Sequence, residues 1–260
     1  MTRPVTIALD KNGVATVTLS QPKKHNVLNE TSITALGAAL DELESDANVR
    51  IVILAAQGPT FCSGLDLRWV HSLSDSDEAT RNKAMNHIGE LLYRLYALAK
   101  PCIARVQGPA FGGGIGLLCC CDFVIATEDV HFTFSEAKLG ITPAIISPYV
   151  IRAMGARHTL QYFLSTEKIS AEQALQLGLV DQLVTTAMLE TAVAEKVQAL
   201  LQGAPDCLAK CKQLVDRLEP IDEQSRKWTT EMTANSIAGE EGRQGIKAFI
   251  KRSLPDWQKH

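Results

Sequence analysis

Two segments of this 260-residue chain place residue types where they could do chemistry. In "AFGGGIGLL", Gly112, Gly113, Gly114 and Gly116 put four glycines in five positions, after a strand-like run and before an apolar one. In "FTFSEAKLGITP", the carboxylate of Glu136 follows directly on a strand-like run with apolar neighbours. The glycine segment fails three motif tests. A Walker A loop would need Lys where Gly114 stands, and the G-x-G-x-x-G dinucleotide fingerprint counted from Gly112 would need Gly where Leu117 stands. A G-x-S-x-G nucleophile elbow is absent, because Phe61 takes the first glycine position in "FCSGLD". What remains is a tight turn opening an apolar helix, with unpaired N–H groups aimed at whatever lies in front. That geometry suits a bound anion or an oxyanion formed during reaction, and it equally suits a close helix contact with no chemistry. "FCSGLDL" (Phe61 to Leu67) offers a second turn with free amides after another buried strand.

The elements that must hold these turns follow from periodicity. "TIALDKNGVATVTL" reads as two strands joined at Asn12-Gly13, a hairpin signal that favours positive φ. Ile33, Leu36, Leu40 and Leu43 recur at helical spacing over Asn29 to Asp46, and Asp75 to Lys100 is a longer helical stretch. "RIVILAAQG", "PCIARVQG", "DFVIAT" and Val130 to Phe134 read as strands. This rhythm implies parallel strands with crossover helices. After residue 145 helices dominate, among them Ala171 to Leu177, Ala187 to Leu201, Pro205 to Leu218, Asp222 to Ser236 and Glu240 to Lys251.

Composition narrows the classes. Apolar residues make up 46% and charged residues 21%, as in ordinary folded proteins, and a net charge of −3 gives no general attraction to nucleic acid or an anionic membrane. The N-terminus alternates like a strand and lacks a secretory signal, and no apolar run approaches the ~18 residues of a membrane span. The reading is a soluble, cytoplasmic protein. Seven cysteines, with Cys119, Cys120 and Cys121 in a row, fit neither a disulfide framework nor a zinc site, so they read as free thiols and no metal is expected.

The order and spacing of "QPKKHNVLN", "FCSGLDL", "GPAFGGGIGL", "CDFVIAT", "FSEAKLGITP", "AEQALQLGLVDQLV" and "GIKAFIKR" resemble the crotonase, or enoyl-CoA hydratase and isomerase, superfamily over nearly the whole chain. The resemblance implies an α/β fold, a ββα spiral core over 1–195 and a C-terminal helical trimerisation region over 196–260. It implies an acyl-CoA thioester substrate, no separate cofactor, and a homotrimer or dimer of trimers, without nucleic-acid or membrane partners. The thioester carbonyl would sit between the amides of Leu65 and Gly113, with Glu136 as acid and base. Apolar surroundings should raise its pKa towards neutrality. Ser63, Asp66, Leu67 and Gly112 would contact substrate, Lys23 and Lys24 would reach phosphates, and Lys251 and Arg252 would complete a neighbouring subunit's site.

Many hydratases of the superfamily carry a second glutamate where this chain has Gly116. "GITPAIISPYVIRAMGAR" (Gly140 to Arg157) is similar to bacterial methylglutaconyl-CoA hydratases, which implies a branched glutaconyl thioester from leucine or isoprenoid breakdown. Gly116 would then leave a gap for the branch, and Tyr149 is a candidate donor to the pocket. Isohexenylglutaconyl-CoA hydratase, general enoyl-CoA hydratase and single-base isomerase are the alternatives within the superfamily. A non-catalytic acyl-CoA or RNA binder is the alternative outside catalysis, and the absence of a basic excess argues against RNA.

Overall fold

The computed structural model describes residues 3–219, 221–255 and 257. The chain opens with strands β1 (Val5–Leu9) and β2 (Val14–Leu19), helix α1 (Glu30–Ser45) and strand β3 (Ile51–Ala56). Helices α2 (Leu67–Ser74) and α3 (Glu78–Ala97) lead to β4 (Cys102–Val106), β5 (Ala110–Phe111), α4 (Gly113–Cys119), β6 (Phe123–Thr127) and β7 (His131–Thr133). Then come α5 (Ser147–Ser165), β8 (Ile169–Ser170), α6 (Ala171–Gln176), β9 (Gln182–Val184), α7 (Leu189–Leu201), α8 (Pro205–Leu218), α9 (Glu223–Ala238) and α10 (Glu240–Ile250).

Six strands form one sheet in the order β1-β2-β3-β4-β6-β9. Only the β1–β2 pair is antiparallel; each later neighbour is parallel, as the alternation of strands and helices requires. Both faces of the inner strands β2, β3, β4 and β6 are largely buried, which explains their near-continuous apolar runs. Val52, Leu54, Ala104 and Val106 join the main core, which also takes in Leu36, Leu40 and Leu43 of α1 and Leu91, Leu92 and Leu95 of α3. Ile51, Ile103 and Ile125 point the other way, into a smaller core closed by Leu189, Val193 and Val197 of α7. A second sheet, β5-β7-β8, sits where the chain leaves β4 and β6.

Helix α1 begins where the sequence places it. Asn29 caps the amide of Ser32 while the Ser32 hydroxyl accepts from the Asn29 amide, so two otherwise orphaned donors are satisfied. The hairpin departs from expectation in detail. Four residues, Asp10 to Gly13, connect β1 and β2, and Asp10 Oδ1 accepts from the amides of Asn12 and Val14. Only Gly13 takes positive φ there; Asn12 does not. Five elements were not anticipated: α2, β5, α5, β8 and β9. Helix α5 is broken at Gly155 by non-helical backbone (φ 74°, ψ 155°), which interrupts its apolar period.

Candidate active site

The parallel strands β3 and β4 deliver two turns to the same place, beyond their C-terminal ends, where open α/β sheets commonly bind ligands. The first turn carries Ser63, Gly64 and Leu65. Leu28 donates its amide to Gly64 O and accepts from the amide of Asp66 (both 2.8 Å), so the Leu65 amide between them faces away from Leu28. Gly64 holds φ +79°, and a Cβ there would lie 2.8 Å from Phe111 O and 3.4 Å from Gly113 N. The two turns therefore touch. The second turn runs from β5 through Gly112 into α4. Gly113 is the first residue of that helix, so its amide has no intrahelical acceptor. Among the described residues neither the Leu65 nor the Gly113 amide makes a backbone hydrogen bond. With only seven residues, α4 adds little macrodipole, and the two amides themselves supply the field.

Three of the four glycines of the segment, Gly112, Gly114 and Gly116, answer to a close approach. Gly112 adopts φ +46°, and a Cβ there would meet Glu136 Oε1 at 2.4 Å. Any side chain at 112 would displace the carboxyl. Gly114 lies against Cys62, whose carbonyl oxygen would be 2.5 Å from an added Cβ. Gly116 lies against Ile146, whose Cγ2 would be 2.4 Å away.

Glu136 lies three residues past the end of β7; Phe132 on that strand and Phe134 just after it are both buried in the core. Its backbone carbonyl accepts from the amides of Leu139 (2.9 Å) and Ile141 (3.0 Å), which fixes the turn. Its carboxyl oxygen Oε2 is shielded from solvent and has no hydrogen-bond partner. Burial pushes the carboxyl up to about 7, against a smaller lowering by the backbone amides of Glu136 and Ser135.

A cavity of about 580 Å³ is lined by Glu136, Leu65, Gly112, Gly113 and Ser63, with Phe249 and Leu254 from the C-terminal segment on the facing wall. A second cavity of about 630 Å³ shares Ser63, Leu65, Leu67, Phe249 and Ser253 with it and adds Asp66, Arg68 and Arg252. Each volume lies in the ~300–1,000 Å³ of small-molecule sites. Asp66 caps α2 by accepting from the Arg68 amide at 3.0 Å. Ser63 ties the first turn to the Pro22–His25 turn, donating both its amide (3.0 Å) and its hydroxyl (3.1 Å) to His25 O.

A sequence model of the enoyl-CoA hydratase/isomerase family matches residues 10–260. The chain belongs to that family. It is 29% identical over 251 residues to a short-chain-enoyl-CoA hydratase of Clostridium acetobutylicum, covering 95% of each chain. It is 28% identical to a hydroxycinnamoyl-CoA hydratase-lyase of Pseudomonas fluorescens, covering 92% of this chain and 90% of the relative. A crystal structure of an enoyl-CoA hydratase from Mycobacterium avium superposes with a TM-score of 0.87 at 30% identity, covering 99% of this chain and 100% of that one. The crotonase-like fold and an acyl-CoA thioester enzyme of this family follow.

Two of the expected placements, those of Tyr149 and Gly116, need correction. Tyr149 does not line the cavity: it is buried in the core, its ring 5.5 Å from that of Tyr96. Gly116 leaves no gap, because Ile146 fills the space a side chain there would take. Arg252 faces the second cavity of its own chain, and Lys251 lines a separate small cavity beside it. Lys23 and Lys24 lie on the exposed Pro22–Lys24 turn, joined to the site through His25 and outside the lining of either large cavity. Arg68, Lys138, Thr133, Ser135 and Ile146 were missed. Lys138 was legible by its place two residues past Glu136; Ile146 has no sequence signal, since it matters only through its contact with Gly116. Among the described residues no cluster of metal-ligating side chains occurs, and no helix is long and apolar enough to cross a membrane.

Proposed function

We propose that the chain hydrates an α,β-unsaturated acyl-CoA thioester, with a branched glutaconyl-CoA such as 3-methylglutaconyl-CoA as its acyl class. The observation that carries hydration is one shielded, unpartnered carboxyl oxygen meeting two unpaired amides in a single cavity. The thioester carbonyl accepts from the Leu65 and Gly113 amides. Water attacks the β-carbon while the Glu136 carboxylate takes its proton, and the double-bond electrons move onto the thioester oxygen. The resulting enolate oxyanion is held by donors already in place, so no reorganisation is needed. Glu136 then returns the same proton to the α-carbon. The carboxyl ends as it began, which lets one glutamate serve as base and acid in turn.

The glutaconyl preference rests on charge and on the Gly140 to Arg157 segment. Lys138 is the one cation lining the main cavity among the described residues, and Glu136 the one acid. Coenzyme A enters as part of the substrate, with no further cofactor; its phosphates fall to Arg68 and Arg252 at the second cavity, with Lys23 and Lys24 nearby. Isohexenylglutaconyl-CoA is the nearest competing substrate. Single-base isomerisation is the second reading, favoured by the lone acid in the lining. The test is kcat/KM over a panel of enoyl-CoA thioesters with and without a distal carboxylate. A clear preference for the carboxylated, branched members is expected; equal or better turnover of crotonyl-CoA contradicts the acyl assignment.

A further inference from the structure

With Gly116 in place of a second carboxylate, the attacking water has only one glutamate to hold it, and one acceptor does not fix a water. Four hydroxyl groups line the main cavity: Ser63, Thr133, Ser135 and Ser253. Two are already committed as donors, Ser63 to His25 O at 3.1 Å and Ser253 to Ala248 O at 3.4 Å. Among the described residues the hydroxyls of Thr133 and Ser135 have no hydrogen-bond partner. Thr133 ends β7, and Ser135 lies on the short segment that runs from it to Glu136. Phe132 and Phe134 are buried in the core, so the alternate residues 133 and 135 turn to the other side, where the cavity lies. Thr133 pairs with Phe111 across β5–β7 and accepts the Gly112 amide at 3.1 Å. Gly112 is also the residue whose missing Cβ admits Glu136 Oε1. Thr133, Ser135 and Glu136 thus line one cavity, with Thr133 and Glu136 both packed against Gly112.

We propose that the hydroxyls of Thr133 and Ser135 are the second polar corner of the hydration site, positioning the attacking water against Glu136. A hydroxyl both donates and accepts, so the pair can hold water oxygen or a water proton without adding negative charge. An acidic acyl chain would not be repelled by it. This inference rests on the hydratase reading and goes beyond it by naming what replaces the missing carboxylate.

The experiment compares wild type, Thr133→Val/Ser135→Ala and Thr133→Ser in two assays. One follows incorporation of labelled water oxygen into an enoyl-CoA thioester. The other follows α-proton exchange of a saturated acyl-CoA in D2O, which needs Glu136 and the oxyanion amides and involves no attack by water. In the double variant kcat for hydration should fall about tenfold relative to exchange, with KM little changed, as expected for lost hydrogen bonds to the reacting water. Thr133→Ser keeps a hydroxyl and should retain the wild-type ratio. An unchanged hydration-to-exchange ratio in the double variant overturns the proposal, as does a Thr133→Ser variant as impaired as the double one. Exchange by the wild type without any incorporation of water oxygen overturns the hydratase reading itself, and this inference with it.

Discussion

Glu136 is where the physical argument is most exposed. Its carboxyl is raised from 4.5 to about 7 because its surroundings withhold solvent. In the proposed cycle the carboxylate is the active form, so kcat/KM should rise with pH along an acid limb centred near 7 and level off above it. A rate that falls through the same range would mean that the protonated form does the chemistry. Glu136→Gln should keep substrate binding and lose at least ~100-fold in turnover, the usual contribution of general acid–base catalysis. The same raised value has a stability consequence. Between 4.5 and about 7 the folded protein holds a proton that the unfolded chain has released, so stability falls as pH rises through this window. Above pH 7 Glu136→Gln should therefore be the more stable protein in urea unfolding, and the difference should shrink below pH 4.5. The sequence made Glu136 and the two amide turns legible, because a strand followed by a turn is a local pattern. Tyr149 was misplaced for the opposite reason: whether a residue inside a helix faces a cavity or the core is decided by partners far along the chain.

At the scale of elements, the contact between α4 and the start of α5 replaces the gap that Gly116 implied. Ile146 occupies the space and is buried. Gly116→Glu therefore drives a carboxylate into an apolar branched side chain, at a cost of about 3 kcal/mol or more, and should not restore a two-glutamate site by itself. Ile146→Ala alone should cost ~2–5 kcal/mol as a cavity. Combining them lets the carboxylate use the vacated space, so the double variant should be less destabilised than the sum by ~0.5–3 kcal/mol in denaturant titrations. Additive losses would mean that the two positions do not share space. The long elements were readable because their periods are long: α1, α3 and α7 to α10 fall within a few residues of expectation. Helix α2 is short and begins on a turn already read as catalytic, α5 is interrupted at Gly155, and β5, β8 and β9 have two, two and three residues, too few for a period to show.

For the whole molecule, α9 and α10 pack back on the core, and α10 brings Phe249 to the cavity wall, while α8 buries none of its residues. Leu160 and Leu164 on α5 and Leu214 and Leu218 on α8 are exposed, the last 78%. Isolated exposed leucines are ordinary, but several on two helices of one chain favour association. Light scattering should give the mass of three or six chains; a persistent monomer at micromolar concentration would contradict the expected trimer or dimer of trimers. The assembly of helices around a parallel sheet was legible from alternation alone, whereas the return of the C-terminal segment to its own chain's cavity was not, because it depends on long-range packing. The central claim is that Glu136 and the Leu65 and Gly113 amides together add water across the double bond of an acyl-CoA thioester. Mass analysis of the product from an enoyl-CoA thioester in labelled water, with wild type and Glu136→Gln side by side, tests it most directly. The expected result is a product heavier by one labelled water from the wild type and almost none from the variant; a product of unchanged mass, or equal yield from both proteins, would contradict it.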